Sequence, residues 1–396
     1  MRRAYFYRKE KSAINLQGGH IMGISKIPCC IIRGGTSKGI FIEAKHLPES
    51  QAQKDKLLLA LFGSPDIRQI DGLGGADPLT SKLAVVSKST RDDADVEFDA
   101  AEIYIDKPVV NYGIMCGNTA SGVGYFAIEN GLVKAVSPNT VIRIYCQSNN
   151  KIIIATIPVK NGEPIIEGDY SINGVPGTGT ATKLNFIDPS GGVTGNLLPT
   201  GLPVDSIEIN SKPVQFSLVD SGTLYAFIDA SDLGIVGNEQ ADILDANTQL
   251  LENVNHIREA IAEYTNNINP KLSLAAARIK IALISKPRKY TSIQGSPVNA
   301  NEIDIVSRIV NPLKIHKAYA VSGAICLASA AAVPDTIPNK IYALTESPAS
   351  LNIGHPSGII DVNITFEKNN KNVNIIAGEV KRTARILMSG TAHIKM

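Results

Sequence analysis

Two side chains in this sequence stand where they could do chemistry, one thiol and one amine. Cys116 lies in Met115-Cys116-Gly117-Asn118, immediately before a stretch that reads as a helix. The first amides of a helix have no intrahelical partners and, together with the helix dipole, favour an anion. A thiol at that point can be held as a reactive thiolate or sit beside a bound carboxylate. Gly117, Asn118 and Thr119, which follow it, suit a helix start that grips a ligand. The commonest fate of a free cysteine is a small apolar core residue, and that reading is accepted for Cys29, Cys30 and Cys146, which lie in or beside strand-like runs.

The amine is Lys82, which closes Asp77-Pro78-Leu79-Thr80-Ser81-Lys82 and opens the apolar run LAVV. Hydrophobic neighbours at the start of a strand would desolvate it, and burial lowers an ammonium pKa toward a value useful for proton abstraction. Taken alone it would read as a solvated surface charge. Arg33-Gly34-Gly35-Thr36-Ser37-Lys38-Gly39 is a glycine-rich turn with a fork-shaped cation and two hydroxyls. It suits carboxylate binding through Arg33, Thr36, Ser37 and turn amides. In Asn352-Ile353-Gly354-His355-Pro356-Ser357-Gly358 a tight turn carries His355, either a structural hydrogen-bonder or a catalyst. The basic run Lys381-Arg382-Thr383-Ala384-Arg385 reads as a solvated strand edge. Gly174 to Lys183 lacks the Lys-Ser/Thr pair of a phosphate loop, and Gly72-Leu73-Gly74-Gly75 is not followed by a helical pattern. Both read as turns.

The elements that must position these groups are mostly strands. Residues 27–32, 39–43, 83–87, 141–145, 152–158, 207–209 and 224–228 are short β-branched runs separated by Gly, Pro, Asn and Asp. Several follow one another with no room for a helix, which favours antiparallel sheet. Residues 51–62 form an amphipathic helix, and 239–264 read as one or two surface helices. Residues 118–130 and 322–333 are different: small and apolar, the second without a charge on any face. A helix apolar all round must be buried all round. One such helix in each half of a strand-rich chain implies an α+β protein of two pseudo-symmetric halves, each a curved sheet around a central helix. The Gly/Pro-rich stretch 174–203 is the best boundary.

With 396 residues the chain is long enough for two domains of roughly 150–200 residues. Its 39 Lys and Arg against 37 Asp and Glu give no electrostatic reason to expect nucleic acid or a membrane surface as partner. No apolar run approaches the ~18 residues of a membrane helix. Five cysteines in no paired or metal-ligand spacing read as free thiols in a reducing, cytoplasmic compartment. Residues 1–21 begin with basic residues but have no apolar h-region, and Met22 stands before the first strand; they read as a mobile tail rather than a signal peptide.

Taken together, RGGTSKG at 33–39, GLGGADPLTSK at 72–82, CGNTASGVGYFAIENGLV at 116–133, HKAYAVSGAICLASAA at 316–331, NIGHPSG at 352–358 and RTARILMSG at 382–390 resemble, in order, the 2-methylaconitate cis-trans isomerase (PrpF-type) family. The resemblance implies the diaminopimelate-epimerase-like fold, with the active site in the cleft between halves spanning 22–200 and 201–384, and a C-terminal strand over 385–396 that returns to the first half. Two helix starts would face each other as anion sockets, Gly117, Asn118 and Thr119 forming one and Ser322, Gly323 and Ala324 the other. Ser81, His316 and His355 fall in the matching strings and join the implied substrate-binding set. The implied chemistry is isomerisation of an unsaturated di- or tricarboxylic acid by a 1,3-proton shift, without metal or organic cofactor. The family's lysine falls on Lys82 and its thiol on Cys116.

Epimerase cousins carry a second thiol at the other helix mouth. Here that place falls near Val321-Ser322, with Cys326 a turn inside, which argues for an alkene isomerase over a racemase. At residues 220–224 relatives often carry an Asn-Pro pair that this chain lacks, a departure that bears on substrate identity. The expected substrate is 2-methylaconitate, in propionate breakdown by the methylcitrate cycle. The alternatives are 3-methylitaconate Δ-isomerase, 4-oxalomesaconate tautomerase or, more remotely, a non-catalytic carboxylate binder. The expected partners are a small polycarboxylate and a second copy of the chain in a homodimer.

Overall fold

The computed structural model describes residues 24–311, 314–369 and 372–396. The tail read over residues 1–21 lies outside them.

The first half runs β1 (Ile24–Gly34), β2 (Ser37–Glu43), α1 (Gln51–Phe62), β3 (Lys82–Lys88), β4 (Val96–Ile103) and β5 (Val110–Ile114). It continues with α2 (Gly117–Glu129), β6 (Asn139–Cys146), β7 (Lys151–Lys160), β8 (Glu163–Pro164) and β9 (Thr182–Ile187). The second half opens with β10 (Asp205–Ile209), β11 (Lys212–Ser221), β12 (Thr223–Asp229), α3 (Ala241–Ala246) and α4 (Thr248–Ile268). Then come β13 (Lys280–Ser285), β14 (Tyr290–Thr291), β15 (Pro297–Val298), β16 (Ile305–Val310), α5 (Val321–Ala332) and α6 (Ile337–Ile341). Four long strands finish the chain: β17 (Ala349–His355), β18 (Gly358–Asn369), β19 (Asn372–Arg382) and β20 (Ala384–Lys395).

The halves repeat one pairing scheme. In the first, β1 and β2 form an antiparallel hairpin, β2 runs parallel to β3, and β3 is antiparallel to β4. From there β4 is parallel to β6, which is antiparallel to β7. In the second, β11 and β12 are the hairpin, β12 is parallel to β13, and β13 is antiparallel to β16. There β16 is parallel to β17, which is antiparallel to β18. The antiparallel pairs dominate, as the short inter-strand spacings require.

The halves are sewn together twice. β9 pairs with β7 on one side and β19 on the other, and β20 returns to lie along β1. The glycine-rich stretch read as a boundary therefore contains a strand that bridges the two sheets.

Every residue of α5 is buried, as are residues 117–127 of α2. Their small side chains are what let curved sheets close around them: a Cβ added to Gly122 would meet the Phe41 ring at 2.8 Å, and one on Gly124 the Ile157 Cδ1 at 2.2 Å. The two helices share one apolar core with Phe41, Phe126, Ile144 and Ile353. By contrast α4 lies over the outer face of the second sheet, burying Leu250, Val254, Ile257 and Ile261 at helical spacing.

Candidate functional site

The two central helices meet at their N-termini. A Cβ built on Gly117 would lie 2.7 Å from Cβ and Cγ1 of Val321, so glycine is what permits the approach. Cys116 is the N-cap of α2, in extended backbone, and its carbonyl accepts the Ala120 amide at 2.9 Å. The amides of residues 117–119 are left without intrahelical partners, as at any helix start. The Thr119 hydroxyl donates to the Cys116 sulfur at 3.0 Å and fixes the thiol at the helix mouth.

A cleft opens at this junction, lined by Ser37, Lys82, Glu102, Asn111, Cys116, Gly117 and Asn118 from the first half. From the second come Tyr225, Arg278, Lys280, Asn311, His316, Ala320, Val321 and Ser322. Lys82 begins β3 and is only 8% exposed. Its burial comes with an acid the sequence reading did not foresee: its Nζ lies 3.1 Å from the Glu102 carboxylate, the residue opposite it on β4. Burial pushes Glu102 up, but Lys82 and Lys280 outweigh it and hold the carboxyl below its usual range. His316 accepts the Ala318 amide on Nδ1 at 3.2 Å. Burial foremost, with Lys82 and Lys280 adding, lowers its pKa to about 4, so it enters the cleft as a neutral ring.

The predicted residues divide into several groups. Lys82, Cys116, Ser37, Gly117, Asn118, His316 and Ser322 share the cleft. Thr119 reaches it through the Cys116 sulfur. Gly323 and Ala324 do not reach it: both are buried, and a Cβ on Gly323 would meet the Tyr225 hydroxyl at 2.7 Å. The second helix mouth is made instead by Ala320, Val321 and Ser322, and the residue corresponding to Cys116 is the N-cap Ala320. Cys326 is fully buried, with its thiol donating to the Val219 carbonyl.

Arg33 is also displaced from its expected place. Its guanidinium donates to the carbonyls of Gly35 and Thr383, at 3.0 and 2.8 Å, and it does not line the cleft. Ser81 is wholly buried behind Lys82, donating to Gln69 Oε1 at 2.7 Å. Thr36 and His355 line a second cavity with Tyr170, Tyr319, Asp361 and Arg382. There His355 accepts the Ser357 amide, and burial, with Arg308 and Arg382 beside it, holds the ring well below the usual histidine range.

Arg382, expected on a solvated edge, is 4% exposed. Its Nε donates at 3.2 Å to Asn118 Oδ1, while Asn118 Nδ2 donates to the Tyr319 carbonyl at 3.3 Å. The first turn of α2, in the first half, is thus clamped to the second half. Sequence reasoning missed Glu102, Arg278 and Lys280, the last despite beginning a strand in the manner of Lys82.

Chemically, the cleft gathers the cations Lys82, Lys280 and Arg278 around one acid, Glu102, the only Asp or Glu among the described residues that line it. Two helix starts, each worth about half an elementary positive charge, add to that field. The arrangement is electrostatically suited to an anion and places an amine and a thiol in the same cleft. Among the described residues no cluster of three His, Cys, Asp or Glu could hold a metal, and no helix is long and apolar enough to cross a membrane.

Comparison with known proteins gives a consistent picture. The chain is 38% identical over 381 residues to the 3-methylitaconate isomerase of Eubacterium barkeri, covering 93% of this chain and 97% of that one. It is 33% identical over 386 residues to the 2-methyl-aconitate isomerase of Shewanella oneidensis, covering 93% and 97%. A crystal structure of a methylitaconate Δ-isomerase superposes with a TM-score of 0.74 at 38% identity, over 94% of this chain and 97% of the other. A hydroxyproline epimerase from Agrobacterium vitis, at 12% identity and TM-score 0.55 over 94% and 93%, shares the diaminopimelate-epimerase-like fold. The relatives are named isomerases, and this chain is an isomerase of the same fold. The PrpF protein profile matches residues 24–395, so the chain belongs to the PrpF protein family.

Proposed function

We propose that the cleft isomerises an unsaturated di- or tricarboxylic acid by moving a proton between the two ends of an allylic system. The observation that carries this reading is the convergence of Lys82 and Cys116 on one cleft at paired helix N-termini. A carboxylate of the substrate lies against the amides at the start of α2 or α5, with Lys280 and Arg278 close by. A C–H bond next to the double bond breaks, and its electron pair spreads through the alkene into that carboxyl group. Preorganised amides and cations stabilise the developing charge without reorganising. A C–H bond then forms at the far allylic carbon, and the double bond has moved or inverted its geometry. Lys82 and Cys116 are two of the groups lining the cleft that can exchange those protons.

Similarity at 38% to a 3-methylitaconate isomerase, against 33% to a 2-methyl-aconitate isomerase, puts 3-methylitaconate ahead of the acid favoured from sequence motifs. The test is proton NMR in D2O with 3-methylitaconate, 2-methylaconitate, 4-oxalomesaconate and trans-aconitate. Deuterium entering one acid at the allylic position as its isomer accumulates identifies reaction and substrate together. Exchange into none of them overturns the reading. Lys82→Ala should raise the barrier by at least ~3 kcal/mol while still binding a polycarboxylate. An active Lys82→Ala enzyme removes Lys82 from the mechanism.

A further inference from the structure

The repeated pairing scheme places a second lysine where Lys82 stands. Lys82 begins β3, which runs parallel to hairpin arm β2, with Gly39 beside the lysine. Lys280 begins β13, which runs parallel to hairpin arm β12, with Tyr225 beside it. The strands even carry the same pattern, Lys82-Leu83-Ala84-Val85-Val86-Ser87 and Lys280-Ile281-Ala282-Leu283-Ile284-Ser285. Both lysines line the cleft, one from each half.

Their surroundings differ in one respect that matters. Glu102 faces Lys82 across the strand pair. In the second half Ile281 faces Val310, and the next residue is Asn311, an amide where the first half has a carboxylate. Lys280 forms no ion pair among the described residues. Under it lies Arg258 of α4, whose guanidinium donates to the carbonyls of Ile279 and Val310, at 3.1 and 2.8 Å, and to Asn255 Oδ1, and which forms no ion pair among the described residues. Burial pushes the Lys280 ammonium below the usual lysine range. Glu102 opposes this, while Lys82, Arg258 and Arg278 add to it. Of the other titratable groups at the cleft, His316 is neutral and Cys116 lies at the α2 mouth.

We propose that Lys280 is a second catalytic residue of the cleft, the amine that takes the proton from one allylic carbon while Lys82, held by Glu102, returns one at the other. In the forward shift the substrate C–H bond breaks and an N–H bond forms on Lys280. The electron pair passes through the alkene into the carboxyl group. An N–H bond of Lys82 then breaks as the new C–H bond forms. Lys280 ends protonated and Lys82 neutral, and exchange with water restores both. Environment assigns the acid and the base in such pairs: Lys82 is ion-paired with Glu102 at 3.1 Å, whereas Lys280 has no ion pair among the described residues and is pushed down by burial first, with Lys82, Arg258 and Arg278 adding to it. This rests on the isomerase reading for its substrate.

The rival role for Lys280 is a carboxylate hook, and Lys280→Arg separates the two. Arginine keeps the charge but cannot serve as a base. As a base, Lys280→Arg and Lys280→Gln both lose about a hundredfold or more in kcat with little change in KM. As a hook, Lys280→Arg keeps its activity and Lys280→Gln suffers mainly in KM, which overturns the proposal. A substrate deuterated at the allylic carbon and turned over in H2O gives a second readout. Two separate groups leave no label at the new C–H position, whereas label carried across shows one group acting alone and overturns the proposal. A titration of 13C-labelled lysine in the wild-type protein, assigned through Lys280→Arg, needs no substrate: Lys280 should titrate below the ordinary lysine range. Titration within that range also overturns it. Wild-type protein that exchanges deuterium, combined with an active Lys280→Arg variant, refutes the Lys280 assignment alone. Wild-type protein that exchanges with no acid refutes the isomerase reading itself.

Discussion

Lys82 and Glu102 face each other across two antiparallel strands, ammonium to carboxylate at 3.1 Å, at the floor of a cleft whose other ionisable side chains include the basic Lys280 and Arg278. Glu102 therefore sets both where the Lys82 amine sits and how much positive charge the cleft carries. Removing its charge leaves the Lys82 ammonium and the Arg278 guanidinium with no acid among the described residues that line the cleft. Glu102→Gln should lower kcat about tenfold or more, because Lys82 loses its fixed position. The KM for a polycarboxylate should stay level or fall, since the cleft gains a unit of positive charge. A raised KM with kcat unchanged would show that Glu102 shapes the pocket rather than holding the lysine.

The thiol invites a different expectation. Cys116 is held by the Thr119 hydroxyl at 3.0 Å and is partly buried at the start of α2. If two amines carry the protons, the sulfur serves to shape the helix mouth, and Cys116→Ser keeps a group of similar reach. That variant should retain kcat within about tenfold, less than the roughly hundredfold to ten-thousandfold that one general acid or base contributes. A loss of about a thousandfold in initial-rate measurements would make the thiol a proton carrier and would displace one of the lysines from that role.

How far the sequence exposed this arrangement depends on which forces are local. The central helices were readable because burial on all sides leaves only small and apolar residues, and α2 and α5 begin one residue before their expected starts. Lys82 taken alone read as a surface charge, and only the resemblance of GLGGADPLTSK at 72–82 to the family's string singled it out. Lys280 carries the same Lys-apolar-Ala-apolar-apolar-Ser pattern but no such string, and its meaning appears only when the pairing of β12 with β13 puts it opposite Lys82. Arg33 and Arg382 illustrate the opposite failure. Basic residues in a glycine-rich turn and at a chain end suggest ligand contact and solvent, yet which carbonyls and amides they meet is decided by residues about 350 and 260 positions away in sequence, one between β19 and β20 and one in α2. Only the period-two pattern, with Val380 and Arg382 on one buried face of β19, hinted otherwise.

Arg382 gives a test of that long-range clamp. It is a buried cation whose Nε donates to Asn118 Oδ1, and Asn118 opens the helix that carries Cys116 at its cap. Replacing it by methionine leaves the Asn118 carbonyl without its guanidinium partner, at a cost of about 1–3 kcal/mol. Arg382→Met should therefore lower the melting temperature, and should reduce kcat even though Arg382 lines the second cavity rather than the cleft. Full activity at reduced stability would mean that the α2 mouth keeps its position without the clamp.

The cleft histidine, partly buried, fixes the sign of a pH effect on stability. His316 has a folded pKa of about 4 against 6.5 when unfolded, because burial and the nearby Lys82 disfavour the imidazolium. Between those values the unfolded chain binds a proton that the folded chain refuses. Acid therefore favours unfolding, and the stability held above pH 6.5 is lost progressively as pH falls toward about 4. A gap of that size corresponds to about 3 kcal/mol at full development. Glu102, whose folded pKa is depressed, loses its contribution in the same direction but at lower pH, as it protonates. Denaturant melts between pH 7 and pH 4 should show a steeper decline for the wild type than for His316→Gln, a polar side chain that cannot take up the proton. Parallel curves for the two proteins would mean that His316 is free to ionise in the folded state and that the cleft is wetter than its geometry indicates.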